Sequence, residues 1–192
     1  MGEQEDTVRI MSIHKSKGLE FPIVFAGGMG KTFNQQDSRS RVLLHPELGI
    51  GCDYIDPVLR VKSPTLLKKT IQRETINENL GEELRVLYVA FTRAKEKLIM
   101  TGAVTRIADK IKKWSQICRR EEEKLSFTEL SGASAYLDWV MPALMRHKSA
   151  QELLEAYGFT NNPAHELYQK EAYFSIRVCP VKELVTREAA HQ

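Results

Sequence analysis

Two largely apolar segments near the start of the chain predict two short strands joined by a tight connection. Hydrophobic residues dominate 7–13 and 21–28, and the nearly continuous apolar run of the second segment is typical of a strand buried on both faces. The sequence HKSKGLE separates them. Its basic residues and its glycine favour a loop containing one helical turn.

The pattern then changes from turn residues to a helical period. A small hairpin or irregular insertion is predicted over 41–55, where a proline and two glycines supply turn signals. The next segment predicts a helix with Pro64 near its first turn and Gly81 just past its end, followed by a second helix over 82–93. A strand is predicted over 97–104. This strand, helix and strand succession indicates an α/β fold.

Amphipathic and apolar helical patterns replace the strands in the second half of the chain. Residues 106–120 predict a basic amphipathic helix, and residues 132–147 predict an apolar helix bent at Pro142. Beyond them, 173–181 is one possible strand and 183–192 is a polar ending. We predict packing roles for two tryptophans and two further aromatic side chains: Tyr88, Phe91, Trp114 and Trp139.

Composition and charge are ordinary for a globular protein and exclude several classes of site. Of the 192 residues, 42% are hydrophobic and 28% are charged, with a net charge of +3, which permits a nucleic-acid partner without requiring one. The cysteines and histidines lack the spacing of a disulfide framework or a zinc site. No apolar run approaches membrane-spanning length and the first ten residues lack a signal-peptide pattern, so the cytoplasm is the expected compartment.

The stretch AGGMGKT, at 26–32, imitates a phosphate-binding P-loop. A working P-loop has a glycine where this chain has Phe25, and it opens directly into a helix, whereas 33–38 is polar and rich in turn residues. We therefore interpret the glycines as a sharp turn after a strand. A kinase or GTPase that uses this loop is the weaker alternative.

Two motifs carry a more specific signal. The first is IMSIHKSKGLEF, at 10–21, and the second is EELRVLYVAFTRA, at 82–94. Together they resemble the last two motifs of the UvrD-like superfamily 1 DNA helicases. The surrounding LLHPELGIG and YLDWVMPAL are similar, more narrowly, to the AddA-type subunits of bacterial helicase–nucleases.

The resemblance implies a partial RecA-like second motor domain followed by a helical segment. On this basis, residues 1–105 are the later half of the second motor domain, 106–150 are a helical extension, and 151–192 are a linker toward a nuclease domain that the chain lacks. The P-loop and the magnesium ligands of the motor are also absent from the sequence. The chain is therefore expected to be a fragment that hydrolyses no ATP alone.

The resemblance also assigns roles to individual residues. Arg93, in the sequence TRA, would be the arginine finger that reaches the γ-phosphate of ATP. Glu20 would accept a hydrogen bond from the ribose, and Gly18 would let the loop approach the nucleotide. Four polar side chains would meet single-stranded DNA: Ser12, His14, Ser16 and Lys17. No residue is assigned to a metal.

The parent protein implied by these motifs is an ATP- and Mg²⁺-dependent DNA helicase and exonuclease that processes double-strand breaks for recombination repair. Its expected partners are single- and double-stranded DNA, the remaining motor domains of the same chain and a second, AddB-type subunit, with no membrane partner. The alternative is a freestanding DNA-binding or regulatory module that has the helicase fold without motor activity.

Overall fold

The chain forms two compact units. The computed structural model describes residues 7–181 and 183. One unit, here called the strand unit, comprises the chain up to Val104 together with Ser126–Leu137. The other, the helical unit, comprises Thr105–Leu125 and the chain from Asp138 onward.

The described residues contain six short strands and five α-helices, with 3₁₀ turns between several of them. In chain order the elements are β1 (Phe21–Ala26), β2 (Leu43–His45), β3 (Gly49–Gly51), β4 (Asp53–Asp56), β5 (Val61–Pro64), α1 (Leu66–Phe91), β6 (Ala94–Met100), α2 (Ile107–Ser115), α3 (Phe127–Ser131), α4 (Leu137–Met145) and α5 (Gln151–Ala156). This mixed composition confirms the α/β prediction.

A parallel pair formed by β1 and β6 is the centre of the strand unit. Phe21 lies opposite Ala94 and Ala26 lies opposite Met100, with an irregularity between Phe21 and Ile23. Both predicted strands therefore form, with β6 beginning earlier than expected. The predicted burial of β1 on both faces is wrong for this chain, since Phe25 remains 71% exposed and no third strand of the described chain covers it.

The strand predicted over 7–13 does not form. Residues 7–12 are irregular and exposed, and Ile13–Ser16 form a 3₁₀ turn. Ser12 caps this turn by accepting a hydrogen bond from the backbone N–H of Lys15. Since a strand needs a paired neighbour and the described sheet offers none here, the local cap determines the conformation.

The long helix α1 is continuous, so the predicted break at Gly81 is wrong. Thr65 caps its start by accepting a hydrogen bond from the N–H of Lys68, and Pro64 belongs to the preceding strand. A glycine inside a helix costs only about 1 kcal/mol. Burial of Leu80 and Leu87 on the two sides of Gly81 explains why the helix tolerates that cost.

Two antiparallel hairpins precede α1. Strands β2 and β3 pair within the segment predicted to form a hairpin, which confirms that prediction, and β4 pairs with β5. Gly51 allows β3 to approach α1, because a Cβ at that position would lie 2.7 Å from the Cα of Lys68. The Lys68 Nζ in turn lies 2.8 Å from a carboxylate oxygen of Asp53.

The helical unit is held together by a buried polar centre and apolar packing. Asp138, at the start of α4, accepts hydrogen bonds of 2.9 Å from the Trp114 Nε1 and from the Lys110 Nζ. Trp114 and Trp139 are both buried, which confirms their predicted packing roles. Pro142 lies within α4 as predicted.

The end of the described chain is less regular than its sequence suggested. The strand predicted over 173–181 is wrong, because 171–180 is irregular and the helical unit offers no strand to pair with it in the described residues. Helix α5 and a 3₁₀ turn, Glu166–Tyr168, precede this segment. The predicted polar ending lies outside the described residues, apart from residue 183.

Candidate functional site

The loop before β1 carries most of the predicted site residues on a 3₁₀ turn and a glycine bend. Ser16 is only 6% exposed, and its Oγ donates a 2.7 Å hydrogen bond to the carbonyl of Ile13. Gly18 has φ +83°, a left-handed conformation that favours glycine, and the chain then turns toward β1. We call residues 12–20 the motif loop.

The guanidinium of Arg93 holds the motif loop beside the end of α1. Its Nη1 donates to the carbonyl of Leu19 at 2.7 Å and lies 3.5 Å from the carbonyl of Ser16. The Arg93 Nε donates to the carbonyl of Val89 within α1. The backbone N–H of Phe21 also donates to the Arg93 carbonyl at 2.9 Å. Residues from the two sequence motifs thus meet in one place.

Glu20 lies at the exposed end of this arrangement. One of its carboxylate oxygens is 3.4 Å from the Nζ of Lys95, and both side chains are more than half exposed. An ion pair in this environment contributes little to stability, so the carboxylate can exchange its partner at low cost. The structure thus brings Gly18, Glu20 and Arg93, the three predicted nucleotide contacts, into one region.

The predicted DNA contacts divide between exposed and buried positions. Ser12, His14 and Lys17 are exposed on the motif loop, as is Lys15. Ser16 is buried, and its hydroxyl proton is engaged within the turn. The DNA roles of all four predicted residues remain predictions, and the buried position of Ser16 favours an action through the shape of the loop.

The sequence that imitates a P-loop forms a tight turn fixed to β6. The Met29 N–H donates to the carbonyl of Thr101 at 2.9 Å, and Met29 is buried. A Cβ at Gly30 would lie 2.2 Å from the carbonyl oxygen of Ala103, so close backbone packing requires this glycine. The next regular element is a single 3₁₀ turn, Asp37–Arg39, rather than the helix that a P-loop needs.

Two aromatic residues of the second motif lie outside the core, contrary to expectation. Tyr88 is 70% exposed and Phe91 is 39% exposed. The apolar neighbours on which the prediction rested occupy other sides of α1, where Leu87 and Ala90 are buried instead. Helical geometry therefore places Tyr88 on the outer face.

A contact that sequence reasoning missed fixes the middle of α1. The hydroxyl of Tyr136 donates a hydrogen bond to the carboxylate of Glu83, and the Tyr136 ring packs edge-on against Phe33. Burial and the adjacent Glu83 carboxylate raise the pKa of Tyr136 above its ordinary value. No local pattern could have indicated this pair, because the partners lie 53 residues apart.

Neither a metal cluster nor a membrane span is found in the described part of the chain. Across 7–181 and 183, no group of three or more His, Cys, Asp or Glu side chains is arranged to hold a metal ion. Over the same residues, every helix falls short of the length and apolar character that crossing a membrane requires.

Comparison with known proteins places these motifs in a family. Residues 1–105 match the model of the UvrD-like helicase C-terminal domain. The chain is 46% identical over 192 residues to the ATP-dependent helicase/nuclease subunit (AddA) of Bacillus mycoides (strain KBAB4), covering all of this chain and 15% of that protein. It is 50% identical over 158 residues to the protein of the same name from Clostridium novyi (strain NT), covering 82% and 13%.

These relatives set both the identity and the extent of the chain. The chain spans about 15% of the length of the curated relatives it matches over its whole sequence. The family model covers more than half of the chain, including both motifs and the Arg93 contact between them. The chain therefore belongs to the UvrD-like helicase C-terminal domain family.

Proposed function

We propose that the full-length protein is an ATP-dependent DNA helicase with an associated exonuclease, and that this chain supplies its arginine finger and part of its single-stranded DNA surface. The observation that carries the proposal is the 2.7 Å contact between the Arg93 Nη1 and the Leu19 carbonyl. It joins the two helicase motifs at one point. The names of the relatives support the same activity.

Arg93 is suited to act on a phosphate because its guanidinium is planar, permanently charged and only half-buried. Its present acceptors are backbone carbonyls, which carry no full charge. A γ-phosphate oxygen would be a stronger acceptor for the same N–H groups, especially as charge develops on it during transfer. We propose that the guanidinium transfers from the Leu19 carbonyl to the phosphate when ATP arrives.

The motif loop would couple nucleotide and DNA. Glu20 would accept a hydrogen bond from the ribose in place of its exposed contact with Lys95, and Gly18 would allow the backbone to approach. Ser12, His14 and Lys17 would contact DNA phosphates and sugars, and Ser16 would support them through its buried hydrogen bond with Ile13. Movement of Arg93 would then be felt directly by the DNA-binding residues.

Other parts of the machine must come from elsewhere in the full-length protein. The described residues offer no set of magnesium ligands, so we assign them no part in holding Mg²⁺ and derive no step through it. The remaining motor domains would supply the phosphate-binding loop and cover the open face of β1. We further propose an AddB-type partner subunit, break processing for recombination repair, a cytoplasmic location and no ATP hydrolysis by this chain alone.

The test is ATP hydrolysis by the full-length protein with Arg93→Lys in the presence of single-stranded DNA. Lysine keeps the charge but loses the planar set of donors, so we expect turnover to fall by about 10³–10⁵-fold while DNA binding persists. Arg119→Lys, an exposed change on the helical unit, is the matched control and should leave turnover intact.

Wild-type turnover in the Arg93→Lys protein would contradict the arginine-finger assignment. If the wild-type full-length protein binds DNA but hydrolyses no ATP, the freestanding DNA-binding alternative would replace the helicase proposal. Turnover by the 192-residue chain alone, lost with Lys31→Ala, would instead establish the P-loop alternative.

A further inference from the structure

A polar groove lies along the first half of α1, apart from the motif loop. It has a volume of about 280 Å³ and opens to solvent. Five residues at helical spacing form one wall and a residue at the end of α3 forms the other: Lys69, Gln72, Arg73, Ile76, Asn77 and Ser131. Spacings of three and four residues place the five on one face of the helix. We call this surface the α1 groove.

The composition of this helical face is unusual. Helices of globular proteins normally bury an apolar stripe at this spacing, whereas this stripe contains two cations, two amides and a single apolar residue. Lys69 and Arg73 are four residues apart on it. Like charges at this separation destabilise a helix when nothing neutralises them.

The polar side chains of the α1 groove have no partners among the described residues. Lys69, Gln72, Arg73, Asn77 and Ser131 make no side-chain hydrogen bond or ion pair there. Nearby carboxylates are engaged elsewhere. Glu78 lies 3.4 Å from the Nε2 of His45, and Glu129 forms the capping box of α3 with Ser126.

This set of side chains selects one kind of ligand. Two cations, two amides and a hydroxyl in one concavity are the groups that proteins use to contact phosphate and sugar oxygens of nucleic acids. Protein interfaces, in contrast, are enriched in aromatic residues and depleted of lysine, and the α1 groove contains no aromatic residue. The groove therefore favours the backbone of a nucleic acid over an acidic protein surface.

We propose that the α1 groove is a second DNA-backbone site, in which Lys69 and Arg73 neutralise successive phosphates while the amides and Ser131 bind the sugar–phosphate edge. This inference rests on the proposed function, because it assumes that the full-length protein binds DNA. It adds a contact on the half of α1 that is remote from Arg93. The site carries no base-reading geometry and contributes affinity without sequence preference.

The salt dependence of DNA binding tests the proposal quantitatively. The variant is Lys69→Gln with Arg73→Gln in the full-length protein, and affinity for a fluorescent oligothymidine strand is measured over a series of salt concentrations. Loss of two phosphate contacts should reduce the slope of log K against log salt by about 1.4, at about 0.7 for each phosphate of a single strand. ATP turnover at saturating DNA should remain at the wild-type value.

Two matched variants separate the groove from general charge. Lys112→Gln with Arg119→Gln removes the same number of exposed charges from the helical unit and should leave the slope unchanged. Lys69→Arg with Arg73→Lys retains the charges and should retain the slope. An equal loss of slope in the helical-unit control would overturn the proposal, because net charge would then explain the effect.

Protection of the wild-type protein provides a test that no variant can confound by misfolding. Lysine acetylation followed by mass spectrometry should show that oligothymidine protects Lys69 and leaves Lys112 reactive. Unchanged slope with no protection of Lys69 would overturn the proposal while leaving the helicase assignment intact. Protection of Lys69 by polyglutamate but not by DNA would identify the groove as a protein-docking surface instead. Failure of the wild-type protein to bind DNA at all would remove the proposed function itself.

Discussion

The two units of this chain differ in where their largest apolar side chains lie. In the helical unit, Trp114, Met145 and Leu154 are buried around the hydrogen bonds of Asp138. In the strand unit, the outer face of β1 leaves Phe25 exposed, and α1 does the same with Tyr88. The first unit is thus packed for stability. The second presents the motif residues and an apolar face that is suited to further protein.

This difference separates structural from functional substitutions. Changes in the helical unit should lower the free energy of unfolding with little direct effect on the chemistry. Changes on the outer surfaces of the strand unit should affect activity, or should affect stability only when the rest of the protein is present. Four predictions sharpen or break this comparison, in order of decreasing effect.

The largest stability effect is expected from Asp138→Ala. The side chain of Asp138 is 2% exposed, and its removal leaves the Lys110 ammonium and the Trp114 indole N–H without this acceptor. Loss of one partner from a buried ion pair typically costs about 3–5 kcal/mol. Urea denaturation of the 192-residue chain measures this cost, with Asp138→Asn as a control that retains an acceptor oxygen. A change below about 1 kcal/mol would show that the polar centre is dispensable.

A direct comparison of the two units pairs Leu154→Ala with Phe25→Ala. Leu154 is fully buried, so its truncation should cost about 2–5 kcal/mol. Phe25 lies mostly in solvent, so its truncation should change the free energy of unfolding of this chain by no more than about 0.5 kcal/mol. Equal effects in urea denaturation would contradict the distinction between the units.

The same Phe25→Ala change in the full-length protein sharpens the result. If other motor elements cover β1 there, the cost should rise to about 3–5 kcal/mol, as for a buried phenylalanine. A cost that stays near zero in both proteins would mean that this face of β1 remains open.

A smaller effect is expected from Tyr136→Phe, which removes the hydrogen bond to Glu83. Bonds to charged acceptors contribute about 1.5–3 kcal/mol, so the wild-type chain should be more stable by that amount at about pH 8. The raised pKa of Tyr136 makes this advantage depend on pH. It is complete below the ordinary value of 10.0, and it is lost as the pH rises from there through the folded-state value.

Denaturation of both proteins from about pH 8 to about pH 11 measures this dependence, because the contributions of the other tyrosines cancel in the difference. An advantage that is constant across the range would show that Tyr136 does not titrate differently in the folded state.

The smallest effect is expected at Asp53, on the surface of the strand unit. Hydrogen bonds from Lys68 and then Lys62 lower the pKa of this carboxylate below its ordinary value of 3.8. Its contribution to stability is therefore present above pH 3.8 and is lost as the pH falls through the folded-state value. An NMR titration of the side-chain carboxyl carbon should show the lowered midpoint, and Lys68→Gln should return it toward 3.8. An ordinary midpoint in the wild-type chain would contradict this.

Local sequence was most informative where the relevant interactions are close along the chain. The hairpin of β2 and β3, the strands on either side of α1 and the buried tryptophans could all be predicted from turn residues and apolar spacing. The predicted strand over 7–13 failed because pairing, rather than propensity, decides whether a strand forms. Tyr88 and Phe91 were misplaced because apolar neighbours in sequence occupy different sides of a helix.

The sequence by itself determined the family of this chain, since both motifs are contiguous and their residue types are those that the chemistry needs. Only the tertiary structure decided how they meet. The Arg93 guanidinium reaches the Leu19 carbonyl across 74 residues, and Tyr136 reaches Glu83 across 53. The continuity of α1 through Gly81, and with it the polar stripe of the α1 groove, likewise depends on packing. Contacts between distant residues arise only once the chain has folded, and no local pattern encodes them.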